Sequence, residues 1–126
     1  MKSKKSVLII EDERTVAAAL ETKLRSEGFE TMIAPDGETA IETALRERPD
    51  LILLDLLLPK LDGFSVLERL REDDWGRAVP VIVLTNLSDA STEVRSLATP
   101  NVKGFMVKSD WSLTDVVKRI KDKLES

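Results

Sequence analysis

The chain has no cysteine and no histidine. The first absence excludes disulfides, thiolate metal sites and cysteine nucleophiles. The second excludes histidine-based triads and imidazole zinc sites. No apolar run approaches the ~20 residues that a membrane-crossing helix needs, and no signal-peptide pattern is present, so the expected compartment is the cytoplasm. Basic charge is not in excess: 19 Lys and Arg stand against 23 Asp and Glu, a net charge of −4. That argues against a nucleic-acid-binding face. Lys2, Lys4 and Lys5 make a small basic start, which reads as a solvated end rather than a binding arm. What remains is ordinary for a globular domain with its own core: 126 residues, 42% hydrophobic and 33% charged.

Short aliphatic runs punctuate the sequence. Val7-Leu8-Ile9-Ile10, Leu51-Ile52-Leu53-Leu54, Val81-Ile82-Val83-Leu84 and Gly104-Phe105-Met106-Val107 read as strands, with a weaker run at Thr31-Met32-Ile33-Ala34. Continuous apolar strands belong in a parallel sheet covered on both faces. Between them the apolar spacing turns helical. Val16, Leu20 and Leu24 precede Gly28, where a helix stop belongs. Ala40, Ile41, Ala44 and Leu45 follow Asp36-Gly37, and Phe64, Leu67 and Leu70 follow Asp62-Gly63. Val94 and Leu97 follow the loop Ser88-Asp89-Ala90-Ser91. Leu113, Val116, Val117, Ile120 and Leu124 form the clearest stripe, with Asp110 or Ser112 as its N-cap. Five strand–helix repeats predict an α/β domain, a (βα)5 doubly wound parallel sheet in a three-layer sandwich, with residues 1–126 as one domain.

In such a sheet the ligand site lies beyond the carboxyl ends of the strands. The strand ends read Glu11-Asp12-Glu13, then Asp55, then Thr85-Asn86, then Lys108. Clustered carboxylates repel one another, and a divalent cation relieves the repulsion. An all-oxygen set without His or Cys selects a hard ion, Mg²⁺ first and then Mn²⁺ or Ca²⁺. Thr85 can donate a hydrogen bond to a phosphate oxygen and Lys108 can neutralise another. A carboxylate in that company, Asp55, suits phosphoryl transfer through an aspartyl phosphate.

On Glu11-Asp12, Asp55, Leu58-Pro59, Asp62-Gly63, Thr85 and Lys108, in that order, the chain resembles the receiver domain of bacterial two-component response regulators, including the single-domain chemotaxis regulator. The resemblance covers essentially the whole chain. It implies a flavodoxin-like strand order of 2-1-3-4-5 and a single receiver domain without an effector domain. It implies that Asp55 accepts a phosphoryl group from the phosphohistidine of a sensor histidine kinase or phosphotransfer protein. Asp12, Asp55 and the backbone carbonyl of Leu57 are then expected to bind Mg²⁺, with Glu11 holding it through water. Lys108 pairs with the phosphoryl group, Thr85 reports it, and Phe105 is the aromatic that rotates inward. The face made by the fourth helix, fifth strand and fifth helix then changes shape for an output protein or a second copy. No nucleic acid and no membrane are expected as partners, and the chain is expected to be a phosphoacceptor rather than an enzyme.

The sequence also departs from the pattern. Ser109 stands where the family usually has a proline joined to the lysine by a cis bond; without proline that bond costs about 2.5–4 kcal/mol. Either the strain is present or the loop is trans. Asn86 replaces a small residue and can lend an amide to the phosphoryl pocket, or narrow it. Glu11 replaces the commoner Asp and lengthens the reach to the metal's water. Glu13 is expected only to cap the next helix. Leu57 and Leu87 flank the path of an attacking water and cannot orient it, which predicts slow self-dephosphorylation. Three other readings compete: a non-phosphorylated module on this fold, a flavin binder, and an aspartyl-nucleophile phosphatase. Glu11-Asp12-Glu13-Arg14 would repel a flavin phosphate, and Leu57 stands where such a phosphatase needs a second Asp. The complete set of Asp12, Asp55, Thr85 and Lys108 argues against the first.

Overall fold

A computed structural model describes residues 4–87 and 89–125; Lys2 and Ser88 lie outside the described residues. Strands and helices alternate strictly: β1 (Ser6–Ile10), α1 (Arg14–Ser26), β2 (Glu30–Ala34), α2 (Gly37–Glu47), β3 (Leu51–Leu54), α3 (Gly63–Arg71), β4 (Val81–Thr85), α4 (Ala90–Ala98), β5 (Val102–Val107), and α5 (Leu113–Glu125) after a 3₁₀ turn at Lys108–Asp110. The five strands are all parallel in the order β2-β1-β3-β4-β5. This is the expected doubly wound sheet.

The apolar runs form the strands because both faces of the sheet are covered. Leu51 to Leu54 and Val81 to Val83 are at most 2% exposed. Alternate strand residues feed two cores. One gathers Leu8, Ile10, Ile52, Leu54, Val81 and Val83 under α2 and α3. The other gathers Val7, Ile9, Leu51, Leu53 and Ile82 under α1 and α5. Gly28, at φ +93°, turns the chain out of α1 toward β2. Ser112 caps α5: its hydroxyl accepts the Asp115 amide at 3.1 Å, and Asp115 accepts the Ser112 amide at 3.1 Å.

Two sequence expectations change. The fifth strand starts at Val102, two residues earlier than its apolar run. A register shift opposite Val81 and Ile82 leaves Lys103 as an extra, exposed residue, so the alternation that marks a strand is broken there. The second change concerns α4. Val94 and Leu97 are 67% and 48% exposed, and only Ser96 of this helix is fully buried. The inward face carries Thr92 and Ser96, one turn apart, and the Ser96 hydroxyl donates to the Thr92 carbonyl at 2.8 Å. Val94 lies two residues from Ser96, on nearly the opposite side of the helix. The apolar pair therefore faces outward.

Candidate functional site

The strand register assembles the site. Ile10 pairs with Leu54, so the next residues, Glu11 and Asp55, emerge side by side. Their backbones are held in the sheet: the Asp55 amide donates to the Ile10 carbonyl, and the Glu11 amide to the Ala34 carbonyl, both at 3.0 Å. Glu11 and Asp55 are 3% and 4% exposed, whereas Asp12 is exposed. One carboxylate oxygen from each of the three lies within 4.8 Å of the other two.

Lys108 reaches into this cluster from the far side of the sheet. Thr85 pairs with Val107 at the ends of β4 and β5, and Lys108 follows at once. Among the described residues every peptide bond is trans, so Lys108–Ser109 opens the 3₁₀ turn without a cis bond. The Lys108 Nζ sits 2.5 Å from Glu11 Oε1, 2.8 Å from Asp55 Oδ2 and 3.5 Å from Glu13 Oε1. The amine is thus bracketed by two buried carboxylates. Burial alone would lower its pKa, but the hydrogen bonds to Asp55 and Glu11 outweigh that and hold it above the ordinary lysine range. Burial pushes Glu11 up, and Lys108 and the Glu13 amide offset this only in part.

Each remaining oxygen of the pair is also engaged. Glu11 Oε2 accepts the Glu13 amide at 3.0 Å, and Asp55 Oδ1 accepts the Leu57 amide at 3.1 Å. The Asp55 side chain therefore folds its own loop back over the strand end. Leu57 is 53% exposed. Thr85 is fully buried, and its hydroxyl oxygen accepts the Leu87 amide at 3.3 Å. Asn86 is exposed at the start of the same loop. Phe105 pairs with Val83 across the β4–β5 ladder and is half-buried against the core beneath α2 and α3.

Glu11, Asp12, Asp55 and Lys108 are brought together as the strand ends foretold. Two contacts went unread. Glu11 grips Lys108 directly, and Glu13, expected only to cap α1, makes no side-chain cap bond and instead faces the lysine. The signal was available in kind: long side chains of opposite charge at the ends of β1 and β5 can meet across the intervening strand ends. Trp111 is 37% exposed, with the Arg119 guanidinium 5.3 Å from its ring, while Trp75 packs on the core.

The profile of the response regulator receiver domain matches residues 7–121. The chain belongs to this family. A probable transcriptional regulator, ycf27, of Porphyridium aerugineum is 43% identical over 94 residues, which are 75% of this chain and 38% of that protein. The response regulator PleD of Caulobacter vibrioides is 37% identical over 91 residues, 72% of this chain and 20% of PleD. This receiver therefore spans well under half the length of those relatives. Among solved structures, a putative response regulator from Chloroflexus aurantiacus is 29% identical with a TM-score of 0.88, covering 98% of this chain and 100% of that one. The receiver domain of a Pseudomonas aeruginosa sensor histidine kinase, solved with magnesium in its active-site cleft, is 28% identical with a TM-score of 0.87, covering 98% and 100%. Receiver domains act in two-component signalling, and this chain has their sheet and order of elements, with an acidic cluster of Glu11, Asp12 and Asp55 beyond its strand ends.

Proposed function

We propose that this receiver is the phosphoacceptor of a two-component relay, with Asp55 as the acceptor. The observation that carries the reading is the Lys108 amine 2.8 Å from a buried Asp55 carboxylate, beside two further acids. One Asp55 oxygen attacks the phosphorus of a phosphohistidine on a sensor kinase or phosphotransfer protein. The O–P bond forms as the P–N bond breaks, and the imidazole leaves with the electron pair. Lys108 shifts its hydrogen bond from the carboxylate to a phosphoryl oxygen. Thr85 releases the Leu87 amide and donates its hydroxyl to a second oxygen, and the exposed Asn86 amide stands at the rim of the same pocket.

The donor set fits Mg²⁺, since it offers only hard oxygens and three of them converge within 4.8 Å. Asp12, Asp55 and the Leu57 carbonyl would hold the ion, with Glu11 acting through water; Mn²⁺ fits the same donors. When bound, the ion supplies charge neutralisation and alignment of the phosphoryl oxygens.

Phosphorylation replaces a carboxylate by a group of about −1.5 to −2 charge, by analogy with phosphoserine. Thr85 and Lys108 follow the new oxygens, the β4–α4 loop closes and Phe105 turns inward. The face formed by α4, β5 and α5, with Val94, Leu97, Trp111 and Leu113 exposed, is the output surface for a protein partner or a second copy. The chain assists its own phosphoryl transfer and is not a turnover enzyme. Its compartment is the cytoplasm, and it binds neither nucleic acid nor membrane.

Intact-protein mass after acetyl phosphate or phosphoramidate, with Mg²⁺ or EDTA, tests the reading on wild type and Asp55→Asn. One phosphoryl adduct that needs both Mg²⁺ and Asp55 is expected. A folded protein that binds Mg²⁺ yet takes no adduct from either donor would instead be a constitutive interaction module. Leu57 and Leu87 leave no polar side chain to orient water, so the adduct should be long-lived; Leu57→Asn should shorten its half-life.

A further inference from the structure

The dipeptide Asp-Gly occurs twice at a helix start, as Asp36-Gly37 and Asp62-Gly63. Both aspartates are N-caps: Asp36 accepts the Thr39 amide, and Asp62 accepts the Phe64 and Ser65 amides. Capping explains the acids but not the glycines, since alanine is the better helix former. The glycines are explained by what they touch. A Cβ at Gly63 would stand 2.6 Å from the Leu56 Cα and 2.9 Å from the Asp55 carbonyl oxygen. A Cβ at Gly37 would stand 2.2 Å from the Leu61 carbonyl oxygen and 2.6 Å from its Cβ. Backbone cannot swing aside as a side-chain tip can, so both positions admit only glycine without a shift of the loop. The Gly63 amide also donates to the Leu56 carbonyl at 3.0 Å.

Both glycines therefore press on one segment, the loop from Asp55 to Asp62 that leaves β3. Gly63 sets its beginning, and Gly37 its end. Between them Lys60 has φ +70°, and its amine lies 3.9 Å from Asp36. Building on the phosphoacceptor reading above, we infer that Gly63 is a positioning residue. It lets the start of α3 lie flush on the Asp55–Leu56 backbone, and so fixes where the Asp55 carboxylate and the Leu57 carbonyl stand. Gly37 clamps the far end of the loop and acts on the site less directly.

The test compares Gly63→Ala, Gly37→Ala and Leu24→Ala, the last a core truncation near the far end of α1. Mg²⁺ affinity is read by calorimetry, the phosphoramidate reaction by mass, and the Leu57 amide by hydrogen exchange. Gly63→Ala is expected to weaken Mg²⁺ at least tenfold and to slow phosphorylation on the order of 100-fold, with the Leu57 amide exchanging faster. Gly37→Ala should do less on all three, and Leu24→Ala should lower stability while leaving the Mg²⁺ affinity alone. A folded Gly63→Ala with wild-type affinity and wild-type Leu57 exchange overturns the inference. So does an equal loss of affinity in Leu24→Ala. If Gly63→Ala does not fold, Asp62→Ala unseats the same helix start without adding an atom there. A threefold or greater loss of affinity then supports the inference, and none overturns it. A wild type that binds no Mg²⁺ and takes no phosphoryl group removes the phosphoacceptor reading alone; Leu57 exchange in Gly63→Ala still decides the positioning role.

Discussion

α3 and α4 are both nine-residue helices capped by an aspartate, yet they are held in opposite ways. α3 turns Val66, Leu67 and Leu70 into the core, each at most 2% exposed. α4 turns Thr92 and Ser96 inward and leaves Val94 and Leu97 in solvent. The first is fixed by the hydrophobic effect, which scales with the apolar area removed from water. The second has little of that area to lose. The same division runs through the site. β1, β3 and the loop pressed by Gly37 and Gly63 form a firm wall that carries Glu11 and Asp55. The ends of β4 and β5 form the opposite wall, which carries Thr85 and Lys108 and has the thinly anchored α4 beside it. Elements that move in switching come from the less stable end of a fold, and a phosphoryl group can shift them only through contacts that differ between the two states.

The largest expected effect tests the firm wall. Leu70→Ala should cost about 2–5 kcal/mol by urea unfolding, since the side chain is fully buried. A loss under 1 kcal/mol would mean that α3 is no better anchored than α4.

Lys108 ties the two walls together, so its removal comes next. Lys108→Met leaves Glu11 and Asp55 facing each other without a cation, at a cost of about 1–3 kcal/mol in EDTA. Mg²⁺ should return part of that loss. Equal unfolding midpoints for the variant and wild type in EDTA would show that the amine does not hold the walls.

Acid separates the helices more gently. The Asp89 carboxyl is held down to about 2 by the Ser91 and Thr92 hydroxyls and the Thr92 amide. Partial burial works against the Asp62 carboxyl, but bonds from Ser65 and Phe64 still keep it below the ordinary value of 3.8. A carboxyl lowered in the folded state contributes stability above its unfolded value, and that contribution is lost as pH falls through the folded one. Both caps should therefore weaken from about pH 4 downward. Glu11, raised by burial above its ordinary value of 4.5, has the opposite sign, and its penalty eases at higher pH, before the caps begin to weaken. By hydrogen exchange at pH 3, the α4 amides should lose protection before those of α3; simultaneous loss would erase the contrast.

The smallest effect is expected at Val94. Val94→Ala should change stability by no more than about 0.5 kcal/mol, because the side chain is 67% exposed. Its influence should appear instead in binding of an output partner.

Much of this was legible in the sequence. Leu51 to Leu54 and Val81 to Leu84 could only be strands covered on both faces, and once the strands are parallel their ends must meet. Glu11, Asp12, Asp55 and Lys108 converge for that reason. What stayed hidden depends on side-chain reach and on which way a helix is rolled. The grip of Glu11 and Glu13 on Lys108 needs the distance across the strand ends. Val94 and Leu97 have the spacing of a buried stripe, but Thr92 and Ser96 share a face too, and spacing alone does not choose between them. The trans Lys108–Ser109 bond was one of two open alternatives, and the start of β5 was masked by Lys103. Asp36-Gly37 and Asp62-Gly63 stand ahead of helical stripes in the sequence, but nothing there shows what a missing Cβ leaves room for.

The extra residue at Lys103 has a consequence for crowding. β5 is an outer strand of the sheet, and an outer strand offers unpaired amides and carbonyls to any extended chain nearby. A bulge bends that row out of step and sets a charge upon it. Copies of this protein at high concentration should then find no regular border along β5 from which a ladder of strands could grow.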